Sequence, residues 1–111
     1  MTTISIIIAI YNRKDELFEL LNSLSRQTDK DFEVIIVDDG SILNLRPTAE
    51  LFQESLTIEF FRKDNSGPGL SRNYGARRAK NDWLVFVDSD VIVETDYIQN
   101  IKKNISEIPC D

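Results

Sequence analysis

The segment Ile4-Ser-Ile-Ile-Ile-Ala-Ile10 constrains the fold more than any other stretch of the chain. A nearly unbroken run of β-branched residues reads as a strand buried on both faces, the kind found in parallel sheets covered by helices. The run is far too short to cross a bilayer, and no basic stretch precedes it as in a signal peptide. Val34-Ile-Ile-Val37 repeats the pattern, Ile58, Phe60 and Phe61 suggest a third strand, and Trp83-Leu-Val-Phe-Val87 reads as a fourth buried strand. Helical signals lie between them. Leu17, Leu20, Leu21 and Leu24 form one apolar stripe at i, i+3, i+4, i+7. Asn12, three residues before Asp15, is expected to open that helix as a capping box. Pro47 suits the first turn of a shorter helix. A third helix is expected over residues 70–79, after the loop Asn65-Ser-Gly-Pro-Gly69. A last one starts near Asp96, with Thr95 as its N-cap and Ile98, Ile101 and Ile105 as its stripe. Strands alternating with helices predict an α/β fold, an open parallel sheet with right-handed crossovers, and 111 residues suit one such unit.

In a parallel sheet all strand C-termini share one edge, and ligands bind there. That edge should gather Tyr11-Asn12 after the first strand, Asp38-Asp39 after the second and Asp88-Ser-Asp90 after the fourth. Four carboxylates so placed would repel one another unless a cation sat among them. Their hard oxygens suit Mg²⁺ or Mn²⁺, which take one or two carboxylates and complete their shell with phosphates. Each cluster alone also reads as a turn or a helix cap, Asp39-Gly40 being a strong turn dipeptide. Both together, each ending a buried strand, favour binding. The first strand–helix turn lacks G-x-G-x-x-G, no G-x-x-x-x-G-K-[ST] occurs, and no acidic pair follows the first strand. Any phosphates are therefore expected to be held through a metal rather than a glycine-rich nest.

Composition narrows the classes further. Nineteen acidic against 13 basic residues leave a net charge of −6, which argues against nucleic acid as a partner and against a polybasic membrane patch. With no histidine, imidazole bases and His-ligated metals are excluded. The single cysteine, Cys110, excludes an internal disulfide and a Cys-rich zinc site. A cytoplasmic protein without a membrane segment is the expectation.

The motifs in order resemble the N-terminal, nucleotide-sugar-binding half of a family 2 glycosyltransferase of the GT-A fold. Ser5-Ile-Ile-Ile-Ala-Ile-Tyr11-Asn12-Arg13 is similar to the family's first strand. Ser23-Leu-Ser-Arg-Gln27-Thr28 and Asp31-Phe32-Glu33-Val-Ile-Ile-Val37-Asp38-Asp39-Gly40-Ser41 resemble its next block. Asn65-Ser-Gly67-Pro-Gly-Leu-Ser71-Arg72-Asn73-Tyr-Gly75 resembles N-x-G-x-x-x-A-R-N-x-G, and Asp88-Ser-Asp90 resembles its D-x-D motif. Ala9 stands where many members have proline, and Ser71 replaces a common alanine.

The resemblance implies a Rossmann-like nucleotide-binding half over residues 1–111, incomplete relative to a full GT-A domain. It implies an inverting, metal-dependent transfer of sugar from a nucleotide-diphosphate donor, with uridine diphosphate the expected nucleotide, to a hydroxyl of a glycan or lipid-linked acceptor. Tyr11 would lie against uracil, and Asp39 would accept the uracil N3–H, which cytosine lacks. Asp38 would hold the turn. Arg72 would contact base or phosphate, Asp88 the ribose hydroxyls, and Asp90 would ligate Mn²⁺ or Mg²⁺. The catalytic base is expected beyond Asp111, so the chain is read as a truncated piece, inactive alone and prone to self-association through its truncated edge. Two rival readings stay open: a nucleotide-binding module without catalysis, and a structural α/β domain whose acidic edge binds only a cation.

Other features are bland. Trp83 reads as packing, and Asn104-Ile-Ser106 fits a glycosylation pattern on a predicted helix. Gly75 within a helix costs about 1 kcal/mol relative to alanine, which either a close helix–sheet approach or a nearby ligand would explain.

Overall fold

The computed structural model describes residues 2–108, so Cys110 lies outside the described residues. Strands β1 (Ile4–Ile10), β2 (Phe32–Asp38), β3 (Thr57–Arg62) and β4 (Trp83–Phe86) alternate with helices α1 (Lys14–Ser25), α2 (Arg46–Glu50), α3 (Pro68–Arg78) and α4 (Tyr97–Ser106). All pairings are parallel, and the strands lie in the order β3-β2-β1-β4. The expected α/β parallel sheet is therefore the observed fold. No helix among the described residues is long and apolar enough to cross a membrane.

The strand order follows from handedness. The first two crossovers travel the same way along the sheet, and the third returns past β1, so right-handed connections require α3 on the opposite face. Alternation within β1 serves both faces. Ile4, Ile6, Ile8 and Ile10 join the main core with Leu17, Leu20, Leu21, Leu24, Val34, Ile36 and Ile98. Ile7 faces the other way and packs with Ile35 and Val37 against the α3 side. That side is thin. Beyond α3 it is covered by Phe61, packed edge-on against Tyr74 (5.9 Å), with the Arg78 guanidinium 3.3 Å from the Tyr74 ring centre.

Gly75 explains how α3 sits so close. A Cβ there would come 2.7 Å from Ile7 Cγ2 and 3.1 Å from Val37 Cγ2. Both neighbours are β-branched side chains with little rotamer freedom. Close helix–sheet packing is thus the reason for this glycine. One turn earlier, Ser71 is fully buried on α3, and its hydroxyl has no partner among the described residues.

Three local expectations need correction. Asn12 does not cap α1: the N-cap is Arg13, with no side-chain hydrogen bond. Asn12 instead adopts a left-handed backbone (φ 53°), which asparagine tolerates better than most residues. Its Oδ1 accepts from the Ile42 and Leu43 N–H groups (2.7 and 3.3 Å), and its own N–H donates to Ser41 Oγ (2.8 Å). Likewise Thr95 does not cap α4, whose N-cap is Asp96. Finally, β4 is not a buried strand. Among the described residues it pairs only with β1, and Trp83, Leu84 and Phe86 are 41%, 38% and 48% exposed, because an edge strand lacks a neighbour on one side.

Gln27 anchors the start of α4. Its side chain is buried, donates to the carbonyls of Ser23 (3.2 Å) and Glu94 (2.6 Å), and accepts from the Ile98 N–H (2.9 Å). This links α1 to the segment that follows Asp88-Ser-Asp90.

Two substitutions under α3 should act in opposite directions. Gly75→Ala is expected to destabilise by about 1–2 kcal/mol, overpacking outweighing the gain in helix propensity. Ser71→Ala is expected to stabilise by about 1 kcal/mol by removing an unpaired buried hydroxyl. Urea unfolding of the two variants beside the wild type checks both signs.

Candidate functional site

The chain winds outward from β1 to β3 and then returns to β4, so the crossovers diverge between β1 and β4. A crevice opens at the C-terminal ends of β1 and β4, where the chain comes back past its first strand by way of α3 on the opposite face. A cavity of about 300 Å³ lies there, lined by Ala9, Ile10, Tyr11, Arg13, Asp39, Pro68 and Ser89. Tyr11 and Asp39 thus share one wall with the middle residue of Asp88-Ser-Asp90. Asp88, Asp90 and Arg72 stand outside that lining. Arg72 Nη2 is 3.5 Å from Asp88 Oδ1, an exposed ion pair that joins α3 to the loop after β4.

The expected repulsion among four carboxylates is relieved by the chain itself. Register places Asp38 beside Arg62 at the ends of β2 and β3, so the acidic pair 38–39 lies against the basic pair 62–63. Arg62 donates to Asp38 Oδ2 (3.3 Å) and to the Ser41 carbonyl (2.7 Å), while Asp38 Oδ1 accepts the Ser41 N–H (3.0 Å). Asp38 therefore holds the turn. Lys63 Nζ donates to Asp39 Oδ1 (2.9 Å).

Asp39 also sits at the N-terminus of α3. Its Oδ1 accepts the Ser66 N–H (2.8 Å) and its Oδ2 the Gly67 N–H (2.9 Å). Asn65 Nδ2 donates to the Asp39 carbonyl (3.0 Å). Gly40 permits this contact: its φ is +77°, and a Cβ would stand 2.8 Å from Asn65 N. Burial pushes the Asp39 carboxyl up, but hydrogen bonds from Lys63, Ser66 and Gly67, with the Lys63 charge, outweigh it and hold the pKa below the ordinary 3.8. Asp39 is a charged acceptor at neutral pH.

Asp90 is exposed. No group of three or more His, Cys, Asp or Glu side chains able to hold a metal occurs among the described residues. A preformed metal cage is absent there, but one exposed carboxylate fits a hard ion that takes one or two carboxylates and fills its shell with donor phosphates.

Sequence reasoning missed Arg62 and Lys63 as parts of this edge, and it placed Asn12 there with the wrong partners. The signal for the first two was an Arg-Lys pair directly after an apolar strand, which gains meaning only once β3 lies beside β2. Asn12 was visible, but its left-handed backbone was not.

A four-stranded parallel sheet in the order β3-β2-β1-β4 with alternating helices is the arrangement of GT-A glycosyltransferases. TarS 1–349 of S. aureus, solved in complex with UDP, matches at a TM-score of 0.88 and 32% identity over 96% of this chain and 32% of that one. The mannosyltransferase PcManGT of Pyrobaculum calidifontis, solved with GDP-Man and Mn²⁺, matches at 0.85 with 22% identity over 94% and 32%, a likeness of fold. The model of glycosyl transferase family 2 matches residues 5–111, and the chain belongs to that family. An uncharacterized glycosyltransferase of Haemophilus influenzae is 40% identical over 96% of this chain and 35% of its own length. One of Rickettsia conorii is 37% identical over 88% of this chain and 16% of its own length. The chain therefore spans about a sixth to a third of these two relatives.

Because the Asp39 pKa is lowered, its contribution to stability is full above the ordinary carboxyl range and fades as pH falls through the lowered value. Asp39→Asn should cost about 2 kcal/mol at pH 7, where it strands the Lys63 ammonium. Below the ordinary value of 3.8 the difference from wild type should shrink. Urea denaturation of both proteins at pH 7 and at about pH 3 checks the sign.

Proposed function

We propose that the chain is the donor-binding part of a glycosyltransferase that takes a uridine-diphosphate sugar and passes the sugar to an acceptor hydroxyl with inversion. The observation that carries the reading is the cavity at the β1/β4 crevice, with exposed Tyr11 and ionised Asp39 on its wall. Likeness to TarS, solved with UDP and with UDP-GlcNAc, supports a uridine nucleotide.

Each residue has work suited to its setting. Tyr11, 45% exposed, offers its ring to one face of the base. Asp39 accepts the uracil N3–H. A cytosine there would leave two acceptors facing each other. Asp88 accepts hydrogen bonds from the ribose hydroxyls, held in position by Arg72, whose other N–H groups remain for a phosphate oxygen. Asp90 would hold Mn²⁺ or Mg²⁺, which when bound supplies Lewis-acid stabilisation to the departing diphosphate.

Inversion requires an acceptor hydroxyl to attack the anomeric carbon opposite the leaving diphosphate, with a base taking its proton. Asp38 and Asp39 are neutralised by Arg62 and Lys63. We assign the base to none of the described carboxylates, so this chain alone binds donor without transferring sugar. The acceptor is a hydroxyl of a glycan or of a lipid-linked molecule.

Calorimetric titration of uridine diphosphate, with and without Mn²⁺, tests the donor site. Metal-enhanced binding that falls about tenfold or more in Asp90→Ala is expected. Absence of binding in every condition would reject the reading.

The exposed β4 edge gives a further expectation, self-association of the isolated chain. Sedimentation velocity should show species larger than a monomer as concentration rises, and a monomer at all concentrations would refute it.

A further inference from the structure

The two oxygens of Asp39 are not equivalent. Oδ1 accepts from Lys63 Nζ and from the Ser66 N–H, whereas Oδ2 accepts only from the Gly67 N–H. With about two lone pairs on each oxygen, Oδ1 is filled and Oδ2 keeps one. Lys63 is itself fully used. Its three N–H groups serve Asp39, the Asp64 carbonyl (2.8 Å) and the Ser66 hydroxyl, and its side chain is only 15% exposed. It has no donor left for a ligand, so it acts on a ligand only through Asp39.

We infer that Lys63 is a positioning residue for base recognition: by filling Oδ1 it leaves Oδ2 of a fixed, charged Asp39 as the one acceptor for a ring N–H. The preference for a base with a ring N–H over one with a bare ring nitrogen then depends on Lys63. This rests on the donor reading above.

The chemistry is a matter of which partner carries the proton. Uracil N3 bears one and cytosine N3 does not, so a charged, oriented Asp39 pairs with the first and repels the lone pair of the second. Without Lys63, Oδ1 keeps only the Ser66 N–H and regains an open lone pair, and burial, no longer opposed by the Lys63 charge, favours the neutral form of the carboxyl. A neutral Asp39 can donate to cytosine N3, and discrimination collapses. Among the described residues no other side chain hydrogen-bonds this carboxyl. Tyr11 and Arg13 follow β1 and share the cavity wall, while Asp38 on β2 is paired with Arg62. The N-terminus of α3 brings backbone N–H groups, and Arg72 on α3 pairs with Asp88 after β4.

The test is calorimetric titration of UDP and of CDP, with Mn²⁺, into the 111-residue chain and its Lys63→Met and Lys63→Arg variants at about pH 7.5 and 5.5. Circular dichroism verifies folding. The wild type should prefer UDP at both pH values, and the variants are compared with it at the same pH. Lys63→Met should lower the UDP-to-CDP affinity ratio about tenfold, and further at the lower pH, while Lys63→Arg restores most of it. If Lys63→Met does not fold, Lys63→Gln provides the same comparison. A folded Lys63→Met or Lys63→Gln variant with the wild-type ratio at both pH values overturns the role of Lys63 and leaves the donor reading intact. Failure of the wild type to bind either nucleotide defeats the donor reading, and this inference with it.

Discussion

The reversal of winding at β1 is the constraint on which the rest depends. Right-handed crossovers carry the chain outward through β2 and β3 and then force α3 under the opposite face as it returns to β4. That single turn-back opens the crevice, aims the N-terminus of α3 at Asp39, and brings the loop after β4 beside Tyr11. It also obliges α3 to lie close to β1 and β2, which only a residue without a side chain allows at position 75. One topological rule thus fixes the position of the cavity and the identity of a glycine seven residues along α3 from Pro68 on its wall.

Charge at this edge is arranged by register rather than by sequence neighbours. Two adjacent aspartates would be a liability at the end of one strand, yet the adjacent strand ends in arginine and lysine at the same level. The pairs are not alike. Arg62 secures the turn through Asp38 and a carbonyl, whereas Lys63 leaves Asp39 on the cavity wall as an ordered anion. A parallel sheet can therefore present a buried charge to a ligand without that charge being unpaired in the empty state.

Much of this was legible in the chain before any coordinates. The strand runs, the leucine stripe and the polar cluster after each strand placed the sheet, α1 and the ligand edge. Family motifs in sequence order identified the class. What stayed hidden was whatever depends on neighbours distant in sequence. Asn12 looked like a cap because its spacing to Asp15 is local, but its hydrogen bonds run to residues 41–43. The neutralising role of Arg62 and Lys63 required knowing that β3 lies beside β2. The apolar run of β4 resembled that of β1, since hydrophobicity records a strand's tendency to be covered and not which elements cover it. Gly75 was marked as costly, and only the measured gap to Ile7 chose between its two explanations.

Trp83 gives the open edge an optical consequence. It is the only tryptophan in the chain, and it opens the strand that has no neighbour on its outer side among the described residues. At 41% exposure its indole is partly in water, while the three tyrosines emit at shorter wavelength. Ultraviolet emission excited at the red edge therefore reports on one strand rather than on the molecule as a whole. Anything that comes to lie along β4 registers as a blue shift, and a ligand entering the crevice at the far end of the strand leaves it undisturbed.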